Sequence, residues 1–142
     1  NRAFEYFTNS SPATMNDKAE IRRLEPYCHG QFTESSESPF EGRSHVHWLT
    51  GTASTVMVGC VEGILGLRPD FYGLRISPSI SSDWKEFYID KDFRGKKLNI
   101  RVNNPDGAQS GYKSLILNGK TMPDNYIPFD ELTDVNEIVL NM

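Results

Sequence analysis

The run His47-Trp48-Leu49-Thr50-Gly51-Thr52-Ala53 sets a hydroxyl, a glycine and a second hydroxyl where a long apolar helical pattern begins. The unpaired N–H groups and positive dipole end of a helix start suit an oxyanion such as phosphate. Thr50 and Gly51 are therefore candidate anion ligands, with the Thr50 hydroxyl and the Gly51 and Thr52 amides as donors. The bland alternative is that Thr50 only caps the helix.

A second group of side chains has the inventory of a carbohydrate site. Glu25, Tyr27, Gln31, Arg43, His45, His47 and Trp48 combine planar aromatics for sugar faces with amide, carboxylate and cationic groups for hydroxyls. A polar surface loop would have the same composition. Glu25 is the one acid expected near a cleft, and an ion pair with Arg22 or Arg23 accounts for it equally well. Metal chemistry is poorly supported. His45 and His47 fall on one side of a strand-like segment, with Cys28 and His29 upstream, but no third ligand has a recognised spacing. There is no GxSxG, and Cys28 and His29 are mere chain neighbours, so a nucleophilic triad is not indicated. Asp90, Asp92, Asp106 and Asp124 read as solvated strand or turn residues.

These groups must be positioned by two stretches of different grammar. In the first, Ala3, Phe4 and Phe7 fit the last turns of a helix that loses its pattern at Asn9-Ser10-Ser11-Pro12, and a short helix is predicted over 13–19. A polar loop spans 29–43, where serines, Pro39 and Gly42 oppose regular structure. Ala53, Val56, Met57, Cys60, Val61, Ile64 and Leu65 then recur at the spacing of one buried helical face. Gly66 suits a left-handed cap and Pro69 blocks continuation. In the second stretch, Leu74 and Ile76, Phe87 and Ile89, and Leu98, Ile100 and Val102 alternate with polar residues as half-buried strands do. Asn104-Pro105-Asp106-Gly107 is a turn, Asn118-Gly119 a type I′ hairpin signal, and 137–142 a final strand. Short strands with antiparallel turn chemistry indicate a β-sandwich or jelly-roll-like domain, giving an α+β chain.

Composition narrows the partners. The 142 residues carry a net charge of −4 with both signs interspersed, so there is no basic stripe for nucleic acid and no polybasic membrane patch. The apolar run 56–67 is broken by Gly59, Glu62 and Gly63 and is too short to cross a bilayer. Cys28 and Cys60 read as buried free thiols of a reducing cytoplasm, with a disulfide as the alternative. The sequon at Asn9 reads as chance. A chain that opens at Asn1 in mid-helix reads as a piece of a longer protein.

Taken in order, Glu25-Pro26-Tyr27, Gln31, Trp48-Leu49-Thr50-Gly51-Thr52-Ala53, Gly63-Ile64-Leu65-Gly66-Leu67-Arg68-Pro69, Gly73-Leu74-Arg75-Ile76 and Trp84 resemble the C-terminal part of the inverting disaccharide phosphorylases, glycoside hydrolase family 94. The segments 38–47 and 117–128 resemble the N,N′-diacetylchitobiose branch more than the cellobiose branch. The resemblance implies the last helices of an (α/α)6 barrel over 1–68 and an antiparallel C-terminal β-sandwich over 69–142. It implies phosphate contacts at Thr50 and Gly51, and a donor-sugar contact at Gln31, with Glu25 and Tyr27 matching the adjoining motif. It places the catalytic acid upstream, leaving no catalytic residue in this chain. Disaccharide and inorganic phosphate would be the substrates, with no cofactor and no metal. The remaining catalytic polypeptide would be a partner, and the complete enzyme a homodimer. Cellobiose-type specificity and a non-catalytic carbohydrate-binding or structural β-module are the alternatives.

Overall fold

The computed structural model describes all residues, Asn1–Met142. The chain is mixed α and β and divides into two compact units, one of residues Arg2–Cys60 and one of residues Val61–Met142 together with Asn1. No helix is long and apolar enough to cross a membrane.

In the first unit, helix α1 (Arg2–Ser10) ends where Ser11-Pro12 removes the next backbone donor. The helix expected over 13–19 is instead two 3-10 turns, Pro12–Thr14 and Asn16–Lys18, followed by the short α2 (Ala19–Arg22). Pro12 starts the first turn, and the Thr14 hydroxyl donates back to the Thr8 and Ser11 carbonyls, competing with a continuous helix. The polar loop also holds more order than its composition suggests. Strands β1 (Phe32–Thr33) and β2 (Ser44–His45) pair antiparallel, with the Thr33 and Ser44 hydroxyls 2.9 Å apart.

Helix α3 (Thr52–Val58) follows, and from Gly59 to Ile64 the chain continues as a π-helix. The apolar pattern is therefore helical as predicted, but the wide turn falls where two glycines, Gly59 and Gly63, lower the cost of departing from α geometry. Its burial is not as predicted. No residue of α3 is buried, and Met57 and Val58 are 64% and 53% exposed.

The second unit is built from strands β3 (Leu67–Pro69), β4 (Gly73–Ile76), β5 (Glu86–Phe93), β6 (Lys96–Asn103), β7 (Ser114–Leu117), β8 (Lys120–Thr121), β9 (Tyr126–Pro128) and β10 (Val135–Asn141). They form one sheet of order β5-β6-β10-β7-β8 and another of order β3-β4-β9. Leu98, Ile100 and Val102 point inward at 0–2% exposure, as their alternation requires, and join Leu74, Ile76, Leu115, Ile127, Ile138 and Leu140 in the core. Asn118 and Gly119 both take positive φ, as a type I′ hairpin demands. The antiparallel expectation has one exception: β6 and β10 are parallel, Leu98 opposite Asn136 and Val102 opposite Leu140. The connection between them runs through β7, β8 and β9, which is length enough for the crossover a parallel pair needs.

Asn104 is fully buried at the end of β6. Its amide donates to the carbonyls of Trp84 and Ala108 and its carbonyl accepts from the Ala108 N–H, all within 2.9 Å. Asn104→Ala removes the partner of three backbone groups of half-buried residues and is expected to cost about 1–3 kcal/mol, read as a lower urea midpoint at unchanged slope.

Candidate functional site

The predicted site residues all lie in the unit Arg2–Cys60. Their placement starts at Arg23, whose φ of 54° ends α2 in a left-handed cap with its N–H on the Ala19 carbonyl. The chain then turns tightly, the Cys28 N–H reaching the Glu25 carbonyl at 3.0 Å. This turn directs Glu25 and Tyr27 toward the segment after β2. The Trp48 indole N–H donates to Glu25 Oε1 at 3.2 Å, and the Tyr27 and Trp48 rings meet edge to face with centroids 6.0 Å apart. Glu25 therefore makes neither of the arginine ion pairs that were its alternative. Arg22 is buried and donates to the Cys28 carbonyl at 3.3 Å.

Hydrogen bonding holds the Glu25 carboxyl below the usual carboxylate range, first from its own backbone N–H and then from Trp48. Its Oε2 is buried with no N–H or O–H donor, and the Cys28 thiol supplies only a weak interaction. Burial pushes the Cys28 thiol up, helped by the Glu25 charge, so it stays protonated and inert. Both cysteines are free thiols, Cys28 buried and Cys60 half-buried.

The three histidines are dispersed in role. His45 Nε2 lies 3.0 Å from Glu34 Oε1, and its ring stacks on Phe32 with centroids 4.8 Å apart. His47, when protonated, helps to lower the Glu25 carboxyl. Burial and the Arg22 charge lower the pKa of His29. The strand-like alternation assumed for His45 and His47 fails because Val46 has φ 54°.

Trp48 has φ 66°, and the Leu49 N–H closes on the His47 carbonyl at 2.8 Å across it. That is a γ-turn of the strained, positive-φ kind. With a β-branched residue also at positive φ two positions earlier, the segment holds backbone strain of about 1–3 kcal/mol per outlier.

Thr50 and Gly51 come directly after this turn. Thr50 is half-buried and Gly51 exposed. The Thr52 N–H donates to Thr50 Oγ1 at 3.0 Å, so that amide is already occupied and is not a free anion donor. The Gly51 carbonyl takes the Thr55 N–H and the hydroxyls of Ser54 and Thr55 at 2.9–3.1 Å, which anchors the start of α3. The Thr50 hydroxyl and the Gly51 N–H donate no hydrogen bond within the chain. A β-carbon built on Gly51 meets no atom within 4 Å, and its φ of −72° suits any residue. Neither packing nor backbone within the chain requires glycine there.

Gln31 is exposed, and its backbone N–H donates to the His45 carbonyl at 2.9 Å, which ties it to β2. Tyr27 is 69% exposed and forms one wall of an open hollow of about 400 Å³ with Pro12, Asn16, Pro26 and His29. The structure thus joins Glu25, Tyr27 and Trp48 by direct contact, while Gln31, Thr50 and Gly51 are held by local backbone bonds. The Glu25–Trp48 bond is not legible in the sequence: both residues fit a sugar site, and nothing in their spacing of 23 positions announces a pair.

Residues 1–66 match the family model described as glycosyl hydrolase 94 superfamily, catalytic domain. The chain is 34% identical to the N,N′-diacetylchitobiose phosphorylase of Vibrio proteolyticus over 98% of its own length and 17% of the relative's. It is 34% identical to that of Vibrio furnissii over 85% of its length and 15% of the relative's. It is 27% identical to the solabiose phosphorylase of Paenibacillus borealis over 97% of its length and 18% of the relative's. The chain spans less than a fifth of each of these relatives.

Proposed function

The chain belongs to the glycosyl hydrolase 94 superfamily, and on that premise we propose that it is the C-terminal part of an inverting disaccharide phosphorylase acting on N,N′-diacetylchitobiose. The observation that carries this reading is the 34% identity to a phosphorylase of that substrate over 98% of the chain. In this reading residues 1–68 close an (α/α)6 barrel and 69–142 form a C-terminal β-sandwich. The barrel would cover the apolar face of α3 left bare here.

The chemistry sets what this chain must supply. A phosphate oxygen attacks C1 of the donor sugar from the face opposite the scissile bond. The C1–O bond breaks with inversion, and an acid elsewhere in the longer polypeptide protonates the leaving oxygen. The products are α-N-acetylglucosamine 1-phosphate and N-acetylglucosamine. Because phosphate arrives as an anion, no second carboxylate is needed to activate a nucleophile. The unused donors of Thr50 and Gly51 suit the phosphate, and the absence of a carboxylate among them avoids repelling it. Gln31 and the exposed Tyr27 ring serve the donor sugar. No cofactor takes part, phosphate being a substrate, and the complete enzyme is a cytoplasmic homodimer.

The test is phosphate-dependent cleavage by the complete enzyme, with N,N′-diacetylchitobiose and cellobiose compared at equal concentration. The expected result is one sugar 1-phosphate formed per phosphate consumed, at a kcat/KM at least about 100-fold higher for the acetamido substrate, since a site built to hydrogen-bond a polar group rejects the analogue lacking it. Preference for cellobiose would establish the other specificity, and cleavage without phosphate consumption would refute the phosphorylase reading.

A further inference from the structure

We propose that Trp48 is a positioning residue for the phosphate seat: the strained turn centred on it, tied down by its indole N–H on Glu25, aims Thr50 and Gly51. The proposal rests on the phosphorylase reading above and adds to it a device for holding the seat in place. Three observations carry it. The γ-turn His47–Leu49 is a conformation that persists only where its surroundings over-determine it. Packing does not supply that constraint, since Leu49 is 88% exposed and Gly51 is exposed. The Trp48–Glu25 bond at 3.2 Å is the one side-chain hydrogen bond that leaves residues 46–51 for a distant segment, and the Tyr27 ring braces the same indole.

Glu25 is itself built to serve as the anchor. The Cys28–Glu25 backbone turn fixes its position, and one carboxylate oxygen is buried, leaving the other for Trp48. Without this tie the turn relaxes toward an ordinary extended path. Thr50 follows Trp48 by two residues, so its hydroxyl and the Gly51 N–H then lose their common aim. An anion held by preorganised donors is sensitive to such a shift, whereas a sugar held by Gln31 and Tyr27 is not.

The test uses the complete enzyme and separates the two substrates. Trp48→Phe keeps a ring and removes the N–H, and is expected to raise the KM for phosphate about 10-fold, the loss of one charge-assisted hydrogen bond, with the KM for disaccharide within about 2-fold. Glu25→Gln retains the acceptor oxygen and is expected to keep the phosphate KM within about 3-fold of wild type, while Glu25→Leu follows Trp48→Phe. The double variant Trp48→Phe with Glu25→Leu should be no worse than either single change, as for two ends of one interaction. An unchanged phosphate KM in Trp48→Phe, or equal losses for both substrates, overturns the proposal. If Trp48→Phe does not fold, the Gln and Leu variants of Glu25 decide: equal phosphate KM values for the two overturn it. A wild-type enzyme that cleaves disaccharide without consuming phosphate fails the underlying reading, which is a different result from any of these.

Discussion

Gly51→Val in the complete enzyme is expected to leave a folded protein whose kcat/KM for phosphate falls at least about 100-fold, since an anion must come within about 2.9 Å of a backbone N–H to bond it. The chain itself does not need glycine at this position. A β-carbon there meets nothing within 4 Å, and the backbone lies in the ordinary helical region. The stability change should therefore stay within about 1 kcal/mol, the range of surface and helix-start substitutions. A glycine with no internal reason to be one, exposed at the start of a helix and next to a half-buried hydroxyl, is explained by something that approaches from outside. Thermal unfolding together with phosphate saturation kinetics would check both halves. Loss of the fold, or full activity in the variant, would each count against this account of Gly51.

Gly66→Ala is expected to do the opposite, removing stability without touching the site. Gly66 has φ 77°, and a β-carbon there would lie 2.1 Å from the Ser77 carbonyl carbon and 2.2 Å from its oxygen. Those are backbone atoms, so no side-chain rotation relieves the clash. The approach is close because the Ser77 N–H donates to the Gly66 carbonyl at 2.8 Å, with the Ser79 N–H on the Ile64 carbonyl beside it. Alanine must break that seam, and a loss of at least about 4 kcal/mol follows, placing it among the most damaging single changes. Gly95 is the internal control. It also has positive φ, at 82°, but a β-carbon there meets nothing within 4 Å, so Gly95→Ala should cost only about 1 kcal/mol. Urea denaturation of the two variants side by side gives the comparison, and equal costs would refute the packing argument.

How much of this was legible in the residues follows from the range over which each signal acts. The alternation of Leu98, Ile100 and Val102 with Asn99, Arg101 and Asn103 is a local pattern, and the strand and its inward face follow from it. The same holds for the Asn118-Gly119 hairpin and for Gly66 ending the helical run. The short strand Leu67–Pro69 was hidden behind its proline, which reads as a helix stop. The proline is tolerated because β3 is the edge of its sheet. The parallel pairing of β6 with β10 joins distant segments and leaves no local trace. At the site, Thr50 and Gly51 stand out as a hydroxyl and a glycine before a helix, which is a local signature. The left-handed turn at Trp48 is not one, since a tryptophan is the last residue expected at positive φ. Only the fold brings Glu25 to its indole.

The central claim is that phosphate is seated by the donors at the start of α3. It is tested most directly by phosphate saturation of the complete enzyme at fixed, saturating disaccharide, wild type against Thr50→Ala. Removing a hydroxyl that donates to a charged oxygen costs about 1.5–3 kcal/mol, so the KM for phosphate should rise about 10- to 100-fold while the KM for disaccharide stays within about 2-fold. A Thr50→Ala enzyme with the wild-type phosphate KM would contradict the claim and remove Thr50 from the anion's shell.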